Sequence, residues 1–94
     1  NISRFTLHFI DKVTIQKQRQ GLIERLLVQL DRPSHGDRNK AIYNLLSLAY
    51  KFPSDHQYLK SKGLPLIKYT ARASILDNVR DPAQELLKIL MGSK

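Results

Sequence analysis

The sequence contains no cysteine and no tryptophan among its 94 residues. Without cysteine there can be no disulfides, thiolate metal ligands or cysteine nucleophiles, so burial of apolar side chains must hold the fold together. Long apolar runs are also missing, since the run at residues 86–91 is interrupted by Lys88 and is far too short to cross a bilayer. No secretory signal peptide is visible. We therefore expect an intracellular protein, either cytoplasmic or nuclear.

Acidic residues are scarce, with eight Asp and Glu against sixteen Lys and Arg and a formal net charge of +8. Such an excess attracts nucleic acid, acidic protein surfaces or anionic lipid. The cations are scattered without a run of five or more, which excludes a basic tail. Because 41% of the residues are hydrophobic, the chain has enough apolar material to fold. Its length predicts one domain spanning residues 1–94.

The residue types that catalysis and metal binding require are not grouped. The eight acids are dispersed, and the three histidines, His8, His35 and His56, lie on different segments without ligand spacing. Ser34, His35 and Asp37 are sequence neighbours on a predicted turn, where they cannot form a catalytic relay. The sequence therefore predicts no enzyme, no cofactor and no metal site.

Apolar residues recur at intervals of three and four along most of the chain, which predicts an all-α protein of about five or six helices. No stretch shows the two-residue alternation of a strand. The glycines at 21, 36, 63 and 92 are expected at helix boundaries, and Gly63 is expected to close a short helix in the left-handed conformation. The predicted helices cover about residues 2–18, 22–31, 38–52, 54–62, 64–74 and 81–91.

A shift of the sequence by 42 residues superposes similar residues at equivalent places, namely two glycines, an arginine at a helix start and one apolar face. This period is typical of two-helix and three-helix solenoid repeats, in which each unit buries its apolar face against the next. The superposed pairs are Gly21 and Gly63, Leu22 and Leu64, Arg38 and Arg80, Ala41 and Ala83, Leu45 and Leu87, and Leu48 and Leu90.

At these positions the chain resembles the armadillo family, and HEAT repeats share the arginine. The stretch that is similar to one full repeat is GLIERLLVQLDRPSHGDRNKAIYNLLSLAYKFPSDHQYLKSKGLPLI, residues 21–67. The resemblance implies a right-handed α-solenoid fragment with a repeat at 21–62 and a partial or terminal repeat at 63–94. Residues 1–20 would be an N-terminal helix or the remnant of a preceding repeat. Two repeats make a small core, so further repeats or an oligomer are expected.

In armadillo proteins the third helices line a groove, and the resemblance implies that a tryptophan and an asparagine on each of them grip an extended peptide. Here Tyr43 and Ser47 stand at those positions in the first repeat, and Glu85 and Ile89 stand there in the last. The pattern is broken, and a basic groove repels a basic peptide. Both points argue against capture of basic localisation signals.

What remains on the predicted groove face is a tyrosine flanked by two cations, an amide and a hydroxyl. Such a set can bind an acidic segment, with the ring providing contact area and the polar groups providing hydrogen bonds. The alternative is that the tyrosine packs on a neighbouring helix and the polar groups are solvated. The predicted partner-binding residues are Lys40, Tyr43, Asn44, Ser47 and Lys51.

Arg38 and Arg80 each stand at the predicted start of a third helix, beside Asp37 and Asp81 respectively. A cation is unfavourable next to a helix N-terminus unless an acid compensates. In solenoids an arginine here commonly ties adjacent repeats through backbone carbonyls or an acid. We therefore expect a structural role for both arginines, as for Gly21 and Gly63.

The sequence leaves three functions open. The first is a scaffold that binds an acidic peptide or protein surface, a class that includes co-chaperones similar to armadillo-type nucleotide-exchange factors. The second is a nucleic-acid-binding repeat surface, and the third is a terminal cap or oligomerisation piece whose joint would be the stripe of Phe5 and Phe9. For the second, the expected phosphate contacts and stacking rings are Lys17, Arg19, Lys40, Lys60, Lys62 and Lys68 with Tyr50, Tyr58 and Tyr69.

Overall fold

The computed structural model of the chain describes residues 15–92. The predicted all-α class is confirmed, because this part of the chain forms four α-helices and one 3-10 turn and has no strand. None of these helices is both long enough and apolar enough to span a membrane. The elements are α1 (Gln16–Leu30), α2 (His35–Lys51), the 3-10 turn (Pro53–Asp55), α3 (His56–Ala73) and α4 (Asp77–Met91).

The prediction of a helix boundary at Gly63 is wrong. Residues 56–73 form one continuous helix, α3, with Gly63 buried in its middle. A Cβ atom at Gly63 would lie 2.5 Å from Cδ2 of Leu27 on α1, so the glycine allows a close helix approach instead of ending a helix. Pro65 also lies inside α3, two residues further on. The predicted boundary at Gly21 is wrong as well, because Gly21 lies within α1.

The helix starts also differ from those predicted. Ser34 caps α2, with its hydroxyl accepting a hydrogen bond from the Asp37 amide at 3.4 Å, so Asp37 belongs to the first turn. The last helix begins at Asp77 rather than at the expected cap Asp81. The added turn contains Val79, which is buried, and this burial favours the longer helix.

The helices form two antiparallel hairpins, α1 with α2 and α3 with α4, joined by the 3-10 turn. The first helices of the two hairpins lie side by side. Gln16 at the start of α1 donates to Asp55 just before α3, and Leu27 near the end of α1 contacts Gly63 further along α3. Because the contacts advance together along both helices, α1 and α3 run parallel.

The second helices of the hairpins are paired in the same way. Asn39 near the start of α2 donates to the backbone carbonyl of Asn78 at the start of α4, at 2.8 Å. Tyr50 near the end of α2 donates to the carboxylate of Glu85 on α4. These helices are therefore parallel too, and the four helices form two layers. The buried apolar core between the layers is Leu22, Ile23, Leu26, Leu27, Leu30, Ala41, Ile42, Leu45, Leu48, Ala49, Leu59, Ile67, Ala71, Ala83, Leu86 and Leu90.

The 42-residue period corresponds to burial at some positions and not at others. Ala41 and Ala83 are both fully buried, and both members of the pair Leu48 and Leu90 belong to the core. By contrast, Leu45 is buried while its equivalent Leu87 is half-buried, and Gly63 is buried while its equivalent Gly21 is half-buried. The sequence repeat therefore follows the core between the layers at some positions and departs from it at others.

A buried ion pair fixes the start of α1 to the 3-10 turn. Nε of Arg19 lies 2.5 Å from a carboxylate oxygen of Asp55, and the two residues are 6% and 0% exposed. The Arg19 guanidinium also lies over the ring of Phe52, 4.0 Å from its centroid. A charge pair this far from water needs such close geometry to offset desolvation. The pair therefore sets the register between α1 and the second hairpin.

Candidate functional site

The five predicted partner-binding residues lie together on α2, and we call them the α2 surface. Lys40 and Lys51 are exposed, Asn44 and Ser47 are half-buried, and Tyr43 is 43% exposed. Tyr43 is thus partly packed against its neighbours and partly open to solvent.

The charges next to the α2 surface are mixed. The neighbouring helix α4 contributes Asp77, Asp81 and Glu85 against two cations, Arg80 and Lys88. Acidic side chains beside a binding surface repel an acidic partner. The groove between α2 and α4 is therefore less suited to an acidic segment than the α2 residues alone suggest.

Helix α3 carries a different charge pattern, in which the predicted phosphate contacts Lys60, Lys62 and Lys68 are joined by Arg72. The 18 residues of α3 include these four cations and no Asp or Glu. At about 3.6 residues per turn, Lys62, Lys68 and Arg72 fall on one side of the helix, and we call these three cations the α3 basic face. Lys62, Lys68 and Arg72 are exposed and Lys60 is half-buried. Within residues 15–92, none of the four forms an ion pair with an acid, so their field is directed to solvent.

Two of the four tyrosines on α2 and α3 donate a hydrogen bond to an acid. The Glu24 carboxylate accepts a hydrogen bond from the Tyr58 hydroxyl, and this bond raises the pKa of Tyr58 above its usual 10.0. In the same way the hydrogen bond to Glu85 raises the pKa of Tyr50. A carboxylate that accepts a hydrogen bond favours the protonated phenol. Tyr50 and Tyr58 are thus held in place by acids.

The two arginines at the helix starts make similar contacts. Nε of Arg38 donates to the backbone carbonyl of Arg32 at 2.6 Å, in the loop before α2. Arg80 donates to the carbonyl of Ile75 at 3.5 Å in the loop before α4, and it pairs with Asp77 and, at 3.7 Å, with Asp81. The two backbone contacts tie each helix to its own preceding loop, the two acid contacts of Arg80 lie within α4, and none of these contacts joins one hairpin to the other.

The residues predicted to contact nucleic acid are divided among several surfaces. Arg19 is wrong as a phosphate contact, because it is buried against Asp55. Lys17 lies on α1 and Lys40 on α2, whereas Lys60, Lys62 and Lys68 are all on α3. Of the three tyrosines, Tyr50 and Tyr58 donate their hydroxyls to glutamates, and Tyr69 is 60% exposed.

A cleft of 510 Å³ opens between the two hairpin turns, and we call it the hairpin-turn cleft. Its rim holds three large apolar side chains that remain in water, with Tyr69 60%, Ile75 88% and Leu76 49% exposed. The sequence signal for it is the pair of adjacent apolar residues at 75 and 76, between two predicted helices. The full lining is Pro33, His35, Arg38, Tyr69, Ala73, Ser74, Ile75, Leu76 and Val79.

Metal-binding chemistry has no cluster in the part of the chain that is described. No group of three His, Cys, Asp or Glu side chains there is placed to hold an ion. His35 lines the cleft, and Nε2 of His56 lies 2.7 Å from the backbone carbonyl of Ala49. His8, like Phe5 and Phe9, falls outside the described residues.

The chain was compared with protein-family models, curated proteins and solved structures, and none of them matches it. The resemblance to armadillo and HEAT repeats stays a prediction from the sequence pattern.

Proposed function

We propose that the two hairpins are consecutive units of a right-handed α-solenoid. The parallel pairing of α1 with α3 and of α2 with α4 supports this, because stacked repeats place equivalent helices side by side. Since α3 is continuous across Gly63, each unit has two helices. A two-helix unit of about 40 residues favours the HEAT form over the three-helix armadillo form.

We infer that this stack is a protein-interaction module that binds an acidic segment of another protein. The observation that carries the proposal is the α3 basic face, where three exposed cations lie on one side of a helix that has no acid. Opposite charge steers an acidic partner to this face and penalises a basic one. The α2 surface is the weaker candidate, because the neighbouring helix α4 carries Asp77, Asp81 and Glu85, and Glu85 contacts Tyr50 on α2.

An acidic protein is favoured over nucleic acid by the positions of the aromatic rings. Tyr58, which would stack on a base beside Lys62, holds the carboxylate of Glu24 against its hydroxyl. A phosphate chain bound there would meet that negative charge. In addition, burial of Arg19 removes one predicted phosphate contact. An acidic peptide needs no stacking ring and can place its carboxylates around Lys68 and Arg72, whereas stacking of a base on Tyr58 brings a phosphate chain beside Glu24.

The proposal is tested by fluorescence anisotropy with a labelled peptide of Glu and Asp, titrated with the full chain. The test variant is the double charge reversal Lys68→Glu with Arg72→Glu on α3. The matched control is Lys17→Glu with Arg25→Glu, which changes the net charge equally but lies on α1, where both residues are exposed. We expect the test variant to weaken binding at least tenfold and the control to weaken it much less, because steering by net charge is common to both.

Three results would contradict this function. The first is no binding to the acidic peptide at moderate salt. The second is equal loss of affinity in the two double variants, which would mean that net charge alone acts. The third is a single-stranded oligonucleotide that binds more tightly than the peptide, with log affinity falling by about 0.7 per contacted phosphate against log salt. That last outcome would identify a nucleic-acid surface instead.

A further inference from the structure

We propose that the hairpin-turn cleft is an anchor pocket for one bulky apolar side chain of the acidic segment. The inference rests on the proposed function and narrows the partner to an acidic segment with a Leu, Ile or Phe in it. Recognition would then have two parts, carboxylates on the α3 basic face and an apolar side chain in the cleft.

Exposed apolar side chains surround the cleft. Tyr69, Ile75 and Leu76 are large hydrophobic residues that remain largely in water at one place. Clustered exposed apolar surface costs solubility and commonly marks a binding site. Ile75, at 88% exposed, gains nothing from the fold itself, so its contact surface is available to a partner.

The cleft continues the basic surface of α3. A stripe with helical spacing of four and three runs along α3 through Tyr58, Lys62, Pro65, Tyr69 and Arg72. These residues are exposed except for half-buried Tyr58, and Tyr69 is itself part of the cleft rim. A peptide that follows the cations of this stripe toward the C-terminal end of α3 therefore arrives at the cleft.

The charge of the cleft lining is positive. The lining includes Arg38 and His35 and has no Asp or Glu. The bond from Arg38 to the Arg32 carbonyl fixes this cation at the edge of the cleft, and Arg80 holds the opposite loop through the Ile75 carbonyl. A pre-formed apolar pocket with a cation at its rim suits a hydrophobic side chain flanked by a carboxylate.

The test compares two labelled peptides of Glu and Asp that differ at one central position, leucine in one and alanine in the other. With the wild-type chain we expect the leucine peptide to bind about tenfold more tightly, as burial of most of a leucine side chain implies. Ile75→Ser and Tyr69→Ala should each reduce this preference severalfold. Ile75→Ser, which lies outside the stripe on α3, should leave the affinity for the alanine peptide nearly unchanged. The control Val28→Ser, at another exposed apolar residue on α1, should leave the preference intact.

Circular dichroism of each variant verifies that it is folded, and the mutated side chains are mostly exposed. Equal affinity of the wild-type chain for the two peptides would overturn the anchor pocket while leaving the proposed function standing. A leucine preference that survives both Ile75→Ser and Tyr69→Ala would also overturn it, because the anchor would then bind elsewhere. If neither peptide binds, the proposed function fails and the anchor pocket fails with it.

Discussion

Substitution by alanine should change the free energy of unfolding differently at two glycines that occupy equivalent positions of the repeat, Gly21 and Gly63. Gly21 lies inside α1, and a Cβ atom added there would meet nothing closer than a guanidinium nitrogen of Arg25 at 3.9 Å. Gly63 lies inside α3, where the added atom would lie 2.5, 3.0 and 3.3 Å from Cδ2, Cδ1 and Cγ of Leu27. Replacing either glycine by alanine therefore gives the same gain in helix propensity, but only Gly63 lacks room for the added methyl group.

The expected magnitudes follow from these two terms. Replacing a helical glycine by alanine stabilises a helix by about 0.5–1 kcal/mol, so Gly21→Ala should raise the free energy of unfolding by that amount. Overpacking a core costs about 1–3 kcal/mol. Gly63→Ala should therefore be neutral or destabilising by up to about 2 kcal/mol after its own propensity gain. Rotation about χ2 of Leu27 leaves Cγ in place, and rotation about χ1 displaces a side chain that is itself buried in the core.

Urea unfolding followed by far-UV circular dichroism measures both variants. A third comparison isolates the clash, because Gly63→Ala made in a Leu27→Ala background should recover the propensity gain and stabilise the protein. If Gly63→Ala stabilises the otherwise wild-type chain as much as Gly21→Ala does, the close approach of α3 to α1 is not as described here.

Three further substitutions test local contacts. Asp55→Ala should lower the free energy of unfolding by about 3–5 kcal/mol, because it leaves the buried Arg19 guanidinium without that counter-charge, and an unchanged urea midpoint would refute this. The hydrogen bond to Glu24 raises the pKa of Tyr58, so Tyr58→Phe should remove a tyrosinate absorbance step that lies above pH 10 in the wild type. The stabilisation from that bond is complete below pH 10 and is lost as the pH rises through the raised pKa. Ser34→Ala should cost about 0.5–1 kcal/mol through loss of the N-cap, whereas Ser34→Gly should cost less.

The helical pattern was predictable from the sequence because local spacing determines it. The apolar stripes that end at Pro33 and Pro53 correspond to α1 and α2, as expected. The helix boundary predicted at Gly63 is wrong because glycine has two uses that a sequence cannot separate, a left-handed turn and a close packing contact. Its use here depends on Leu27, which is distant in sequence and near in space.

The candidate site was less predictable for a related reason. The α2 residues were selected by analogy with the armadillo groove, and that analogy does not include the charges that α4 brings beside them. The cations of the α3 basic face are visible in the sequence as part of a segment without an acid, but their exposure depends on which side of α3 packs on α1 and α4. The hairpin-turn cleft joins two loops about 40 residues apart, in accord with the repeat period, and no local pattern brings them together.

The central claim is that an acidic segment binds along α3 and reaches the hairpin-turn cleft. The most direct test is a two-dimensional NMR titration of the isotopically labelled full chain with the leucine-containing acidic peptide. We predict that the largest amide shift changes fall between Lys68 and Leu76, with smaller changes near Lys62. Changes concentrated between Lys40 and Lys51 on α2, with α3 unaffected, would contradict the claim.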